Sequence, residues 1–304
     1  MKYDLITVLG PTAVGKTKLA ALLADRFNGE IISADSRQVY KGMDIGTGKD
    51  LQDYVVNGSL IPYHLIDIIE PSEEFNVFRF RKLFYETFKQ ITGRNKIPFL
   101  VGGTGLYLNA VLSNYNLKEI DFNKKRINEL NKLPVIELTE ILKSLNPKLH
   151  NTTDLKIKNR VIKAIIVAEQ STNSQSNEYP KLNPLIIGIK LERELIKRNI
   201  TNRLKNRLKN GMVEEVENLM ANGITLEKLM FFGLEYKYVS LYLSGKLNYN
   251  DMFQKLNSAI HKFAKRQMTW FRKMERSGIK INWIEGPDFE SAGKIISKEF
   301  FDEN

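Results

Sequence analysis

The sequence predicts an α/β fold: a doubly wound parallel sheet with a helical insertion domain and a helical C-terminal region. Three observations predict it. Short apolar runs alternate with helically spaced segments through the first third of the chain. A Gly-rich turn closes the first run, where a parallel sheet presents its ligand-binding edge. Past about Leu117 the texture becomes Lys/Asn/Leu-rich with helical spacing, until a further apolar run at 185–189 returns the chain to the sheet. The expected divisions are 1–117, the first part of the core; 118–184, an inserted helical domain; and 185–304, the return to the core plus basic helices.

Taken in order, Leu5-Ile6-Thr7-Val8-Leu9 is a continuous apolar run ending at Gly10, the pattern of a strand buried on both faces. Residues 17–27 place Leu19, Leu22, Leu23 and Phe27 on one helical face. Glu30-Ile31-Ile32-Ser33-Ala34 reads as a second strand ending at Asp35, and Tyr63-His64-Leu65-Ile66 as a third ending at Asp67. Residues 75–92 are helically spaced. Ile97-Pro98-Phe99-Leu100-Val101 is a fourth strand running into Gly102-Gly103, and 106–112 opens another helix. Residues 171–184 read as a polar loop, and 192–278 as helices with turns at Gly211, Gly223 and Gly245.

Composition narrows the chemistry. The 304 residues can bury a core without covalent staples. There is no cysteine, which excludes disulfides, thiolate zinc sites, Fe–S clusters and a Cys nucleophile. No run approaches ~18 apolar residues, and the N-terminus lacks a signal-peptide pattern. A cytoplasmic protein with no membrane partner is expected. The net charge of +11 is uneven: residues 1–117 carry 13 basic and 12 acidic side chains, residues 118–304 carry 33 and 23. Seven basic residues in 193–209 stand against Glu194, and seven in 262–280 against Glu275. Concentrated basic blocks behind a neutral first third fit a polyanionic partner, although a solvated surface has the same composition.

Gly10-Pro11-Thr12-Ala13-Val14-Gly15-Lys16-Thr17 fits G-x-x-x-x-G-K-[ST], the P-loop pattern, between an expected strand and helix. Glycines let backbone N–H groups turn around a phosphate, and the helix N-terminus adds partial positive charge. Lys16 supplies a full charge, and Thr17 a hydroxyl for Mg²⁺. A nucleotide hydrolase also needs an acidic residue at the end of an apolar strand to hold Mg²⁺. The fourth strand ends in Gly102-Gly103 instead. Asp67 could hold the metal or simply form a turn. Asp35 could accept a proton beside the phosphates or form an Asx-turn.

Four segments complete a set with the P-loop. They are Asp35-Ser36-Arg37-Gln38-Val39-Tyr40-Lys41-Gly42-Met43-Asp44-Ile45-Gly46-Thr47, Pro62-Tyr63-His64-Leu65-Ile66-Asp67, Gly102-Gly103-Thr104-Gly105-Leu106-Tyr107, and Lys265-Arg266-Gln267-Met268-Thr269-Trp270-Phe271-Arg272. Over about residues 4–283 the set closely resembles the tRNA dimethylallyltransferases, or tRNA isopentenyltransferases, of bacterial type. The resemblance implies transfer of a dimethylallyl group from dimethylallyl diphosphate to N6 of the adenine at tRNA position 37. It implies that Gly10–Thr17 holds the prenyl diphosphate with Mg²⁺, that Asp35 is the general base, and that Arg198 meets the diphosphate. Candidate contacts to the tRNA anticodon stem-loop are Asp35, Ser36, Arg37, Gln38, Thr104, Asn159, Arg160, Lys163, Lys265, Arg266, Gln267, Arg272, Lys273 and Arg276. Two departures stand out: Tyr63 where the family often has His, and Lys163 for an Arg after the Thr153-Asp154-Leu155 segment. A monomer is expected. Spacing adds that Lys262, Arg266, Thr269, Lys273 and Arg276 form one polar helical stripe, with Ile260, Phe263, Ala264, Phe271 and Met274 as a packing face. Trp270 could stack on a base or serve the core. A P-loop small-molecule kinase and a non-catalytic RNA-binding protein are the alternatives. The first leaves the basic second half unused, the second leaves Lys16 and Asp35 idle.

Overall fold

The computed structural model describes residues 2–113, 122–147, 155, 157–170 and 179–301. The chain divides into two compact units, residues 1–115 with 180–304, and residues 116–179. In the first, β1 (Leu5–Leu9) leads to α1 (Lys16–Arg26) and β2 (Gly29–Ala34). A 3₁₀ turn (Leu51–Tyr54) precedes a small hairpin, β3 (Val55–Val56) and β4 (Ser59–Leu60). Then come β5 (Tyr63–His64), α2 (Val77–Gly93), β6 (Ile97–Gly102) and α3 (Gly105–Leu112). The second unit holds α4 (Lys124–Asn131), α5 (Val135–Leu145) and α6 (Lys158–Gln170). The first unit resumes with β7 (Pro184–Lys190), α7 (Arg193–Lys209), α8 (Met212–Ala221), α9 (Leu226–Phe232) and α10 (Leu234–Leu243). It ends with α11 (Tyr249–Arg276), β8 (Asn282–Glu285) and α12 (Phe289–Phe300).

Six strands form one parallel sheet in the order β5-β2-β6-β1-β7-β8. Every residue of β1 and β2 is buried, as continuous apolar runs covered on both faces require. Ile6, Val8, Ile31, Phe99 and Ile187 share one cluster with Leu19 and Leu23 of α1 and Ile296 and Phe300 of α12. Each such side chain contributes about 1.5–3 kcal/mol when fully buried. From β1 the chain moves to β2 on one side, while β7 later joins β1 on the other. The end of β1 is therefore the crevice at which an open α/β sheet binds ligands.

The third strand is shorter than its apolar run implies. β5 stops at His64 because Leu65 (φ 61°) and Asp67 (φ 54°) enter the left-handed region, which no ladder accommodates. Spacing did not announce β3–β4, β8 or α12. The hairpin turns at Asn57-Gly58, both at positive φ. β8 pairs with β7 at the sheet edge and is too short to show a period. α12 opens at Asp288, whose Oδ1 accepts the N–H groups of Glu290 and Ser291. The basic tail is helical as expected, with breaks at Gly211, Gly223 and Gly245 and a further one at Gly233.

The second unit has its own core of Leu130, Leu138, Leu142, Val161, Ile162, Ile165 and Ile166. Thr153, Asp154 and the expected loop at 171–178 lie outside the described residues. No described helix is long and apolar enough to cross a membrane.

Candidate active site

Between β1 and α1 the chain passes through Ala13 (φ 65°) and Gly15 (φ 81°), two left-handed residues flanking Val14. Such alternation turns successive N–H groups to one side, at the positive end of α1. Gly10 is fixed by close approach: a Cβ there would stand 2.8 Å from the Ile189 carbonyl oxygen of β7. Thr12, Ala13, Gly15, Lys16 and Thr17 line a cavity of about 650 Å³, while Gly10, Pro11 and Val14 lie beneath it. Lys16 Nζ donates to the Pro11 carbonyl at 2.6 Å. Burial and then the Arg203 guanidinium bring the Lys16 ammonium down to about 7, against an opposing pull from Asp35.

The facing wall is the turn after β2. Asp35 Oδ1 accepts the N–H groups of Arg37 (2.8 Å) and Gln38 (3.4 Å), an Asx-turn. Asp35 nevertheless lines the cavity, and among the described residues its Oδ2 has no hydrogen-bond partner. The two sequence readings of Asp35 therefore coexist. Arg37 lies over the Phe231 ring at 4.9 Å. Ser36 N–H donates to Thr104 Oγ1 at 3.3 Å, tying this turn to the end of β6. Gln38 is a buttress: its Oε1 accepts the Ser33 hydroxyl and its Nε2 donates to the Gly48 carbonyl, both at 2.9 Å. The floor at Gly102-Gly103 is bare backbone. A Cβ on Gly103 would lie 3.1 Å from the Gly10 carbonyl oxygen.

Gln267 is a correction. Expected among the RNA contacts, it is 5 % exposed. Its Nε2 donates to the Gly103 carbonyl at 2.9 Å, and its Oε1 accepts the Thr12 N–H at 2.8 Å. Both ends of the amide clamp the P-loop to the end of β6. Trp270, one turn on, crosses Gly105, where a Cβ would stand 2.5 Å from its Cγ, and it also borders the cavity. Phe263 leaves the expected packing face: it is exposed at the cavity edge beneath the Arg266 guanidinium.

Arg198 is the second correction. It is exposed and absent from the cavity wall, which Arg203 and Arg207 form instead. Arg203 Nη2 donates to Thr12 Oγ1, and Asn199 Nδ2 donates to the Ala13 carbonyl at 3.2 Å. Five residues on from Arg198 is about 140° around a helix. The run of seven cations gave the element but not its rotation. Burial, with Arg207 adding, lowers the Arg203 guanidinium to about 10.

Asp67 is off the cavity wall. It pairs with the buried Lys49, whose Nζ also donates to Asp44 Oδ1 at 2.6 Å and to the Tyr40 carbonyl at 2.7 Å. Among the described residues no group of three or more His, Asp or Glu side chains could hold a metal by itself. The donor set fits a hard divalent cation held mainly by substrate phosphates and water. Thr17 lines the cavity and carries a hydroxyl that could contribute a ligand.

Lys262, Lys265, Arg266, Thr269, Arg272, Lys273 and Arg276 on α11 are not buried, with Lys273 Nζ 5.4 Å from the Trp270 ring centre. In the second unit, Asn159, Arg160 and Lys163 occupy the exposed face of α6.

Comparison with known proteins fits this geometry. A family model described as IPP transferase matches residues 38–274. The chain is 54 % identical over 286 residues to tRNA dimethylallyltransferase 1 of Geotalea uraniireducens (strain Rf4), covering 94 % of each chain. It is 51 % identical to tRNA dimethylallyltransferase 2 of Phocaeicola vulgatus, covering 97 % of each. The crystal structure of the full-length tRNA isopentenylpyrophosphate transferase of Bacillus halodurans superposes with a TM-score of 0.68 at 34 % identity, covering 99 % of this chain and 100 % of that one. A eukaryotic dimethylallyltransferase acting on tRNA shares the fold, with a TM-score of 0.81 at 24 % identity over 98 % of this chain and 79 % of its own. With the match running through the Asp35–Gln38 turn's end, α7 and most of α11, this chain belongs to the IPP transferase family.

Proposed function

We propose that the chain transfers the dimethylallyl group of dimethylallyl diphosphate to N6 of adenosine 37 in tRNA. One observation carries the reading: Thr12, Lys16, Thr17 and Arg203 share a single cavity with the Asp35 carboxylate. Groups suited to cradle a phosphate and to accept a proton thus line one space, which supports the reading. In the reaction the allylic C1–O bond breaks and its electron pair leaves on the diphosphate oxygen. The N6 lone pair forms the new C1–N bond, and the amine proton goes to Asp35. Thr12, Lys16, Thr17 and Arg203 meet the charge that grows on the leaving group. Thr17 would help to hold a divalent cation such as Mg²⁺, which would supply further charge neutralisation when bound. Because Oδ1 of Asp35 is pinned by two backbone N–H groups, its carboxylate is oriented before any amine arrives.

The adenine has to leave the anticodon-loop stack, at a cost of a few kcal/mol. Lys265, Arg266, Arg272, Lys273 and Arg276 of α11, with Asn159, Arg160 and Lys163 of α6, would grip the stem-loop. Ser36, Arg37 and Thr104 border the cavity where the base would enter. The test is incubation with radiolabelled dimethylallyl diphosphate and unmodified tRNA. Label is expected in the RNA, and Asp35→Asn should slow single-turnover transfer by ~10²-fold or more with tRNA affinity kept within a few-fold. Wild-type single-turnover rates in the variant would remove Asp35 from the mechanism. Absence of label from RNA would overturn the whole reading.

A further inference from the structure

The cavity has a buried cation that the mechanism leaves unused. Arg207 lies one helical turn beyond Arg203 on α7, on the same wall. Its residue surface is only 8 % exposed, and among the described residues its Nε and Nη2 have no hydrogen-bond partner. Asp50 and Glu235 each approach to 3.7 Å, close enough to offset charge but beyond hydrogen-bond range. A buried guanidinium that keeps donors unmade costs free energy, so such a group calls for an acceptor.

The backbone across the cavity makes room for it. Gly48 has φ +66°, and a Cβ there would stand on the Nη2 position and 2.7 Å from Cζ. The Gly48 carbonyl is itself held by Gln38 Nε2 at 2.9 Å, so this stretch is fixed. The guanidinium therefore occupies a slot that exists only because residue 48 lacks a side chain. Arg207 lines a cavity that Lys16 and Arg203 also line, and among the charges near Arg203 the repulsion from Arg207 is the largest influence. Three cations lining one cavity, only partly offset by Asp50 and Glu235, suit it to an anion.

We infer that Arg207 is a second arginine of the donor site, donating Nε and Nη2 to the outer phosphate of the diphosphate whose inner phosphate lies on the P-loop. Its fork geometry suits two phosphate oxygens. Its burial favours a small anion that enters the cavity over an RNA backbone that stays at the surface. The inference rests on the donor reading given above and deepens it.

The test is calorimetric binding of inorganic pyrophosphate with Mg²⁺ to the full chain, alongside tRNA binding. Arg207→Met should weaken pyrophosphate about ten- to a hundredfold, the scale of a missing charge-assisted pair. tRNA affinity should change less than about threefold. Gly48→Ala evicts the guanidinium without removing its charge, and should lose pyrophosphate affinity as Arg207→Met does. The double variant should lose no more than either alone, the signature of one shared interaction. Should Arg207→Met fail to fold, Arg207→Lys carries the test, with a several-fold loss expected from the missing fork. Unchanged pyrophosphate affinity in a folded variant would overturn the inference and leave Arg207 a structural partner of Asp50 and Glu235. A loss confined to tRNA would overturn it in favour of an RNA phosphate. A wild-type protein that binds no pyrophosphate would overturn the donor reading itself.

Discussion

At the scale of single residues, the site is governed by what burial does to charge. Lys16 ordinarily holds its proton to 10.5, and here the value is about 7. Above that pH the empty site carries a neutral amine, and capturing a diphosphate requires the ammonium, so binding takes up a proton. Dimethylallyl diphosphate affinity should fall by about tenfold per pH unit from roughly 7 upward. Lys16→Met should lower the affinity and flatten that slope, and it also serves as the control for the ligand's own titration. Identical slopes in the two proteins would show that Lys16 does not titrate there. The stability of the empty protein has the opposite sign. The unfolded chain binds more protons than the folded one between about 7 and 10.5, so this group makes the fold more stable as pH rises through that window. Residues 10–17 were legible in the sequence because a P-loop is local backbone geometry. Arg203 and Arg207 were not, because which of seven cations faces a cavity depends on how α7 is rotated on the sheet.

At the scale of the element, α11 has two faces with different tasks. Leu256, Ile260, Ala264, Gln267, Phe271 and Met274 are buried, at helical spacing. The opposite side carries Lys262, Arg266, Lys273 and Arg276. Phosphate contacts position without reading sequence, and each releases condensed counterions. The Lys273→Ala, Arg276→Ala pair should therefore reduce the slope of log K for tRNA against log salt by about 0.7–0.9 for each phosphate left without its cation. Different tRNAs should weaken alike, and transfer at saturating tRNA should stay near normal. Coincident salt slopes would mean that this side of α11 is merely solvated. Spacing disclosed the polar stripe and left Gln267 out of it; the tRNA contact expected at Gln267 came from the resemblance, and a buried amide inside a basic run has the same residue type as a surface one. Only its two partners, Thr12 and Gly103, reveal its task.

At the scale of the whole molecule, the P-loop is held by a clamp between distant parts of the chain. Thr12 and Gln267 are 255 residues apart, and Thr12 and Arg203 are 191 apart. Gln267→Ala leaves the Thr12 N–H and the Gly103 carbonyl without their protein partner. It should lower stability by about 1–3 kcal/mol in urea unfolding and weaken donor binding through a loosened P-loop. An unfolding midpoint at the wild-type value would show that the clamp contributes nothing. The sheet's first five strands were readable from their order along the chain, whereas β8 and α12 depend on what they pack against and carry little signal of their own. The long span of the clamp also bears on how the molecule comes into being. Loops of this length close late, after local helices and neighbouring strands have formed. During synthesis the P-loop emerges early, and its tie to Gln267 forms only once α11 has followed it out and settled across the sheet. The growing chain thus passes most of its synthesis with the backbone bonds of Thr12 and Gly103 to Gln267 still to be made.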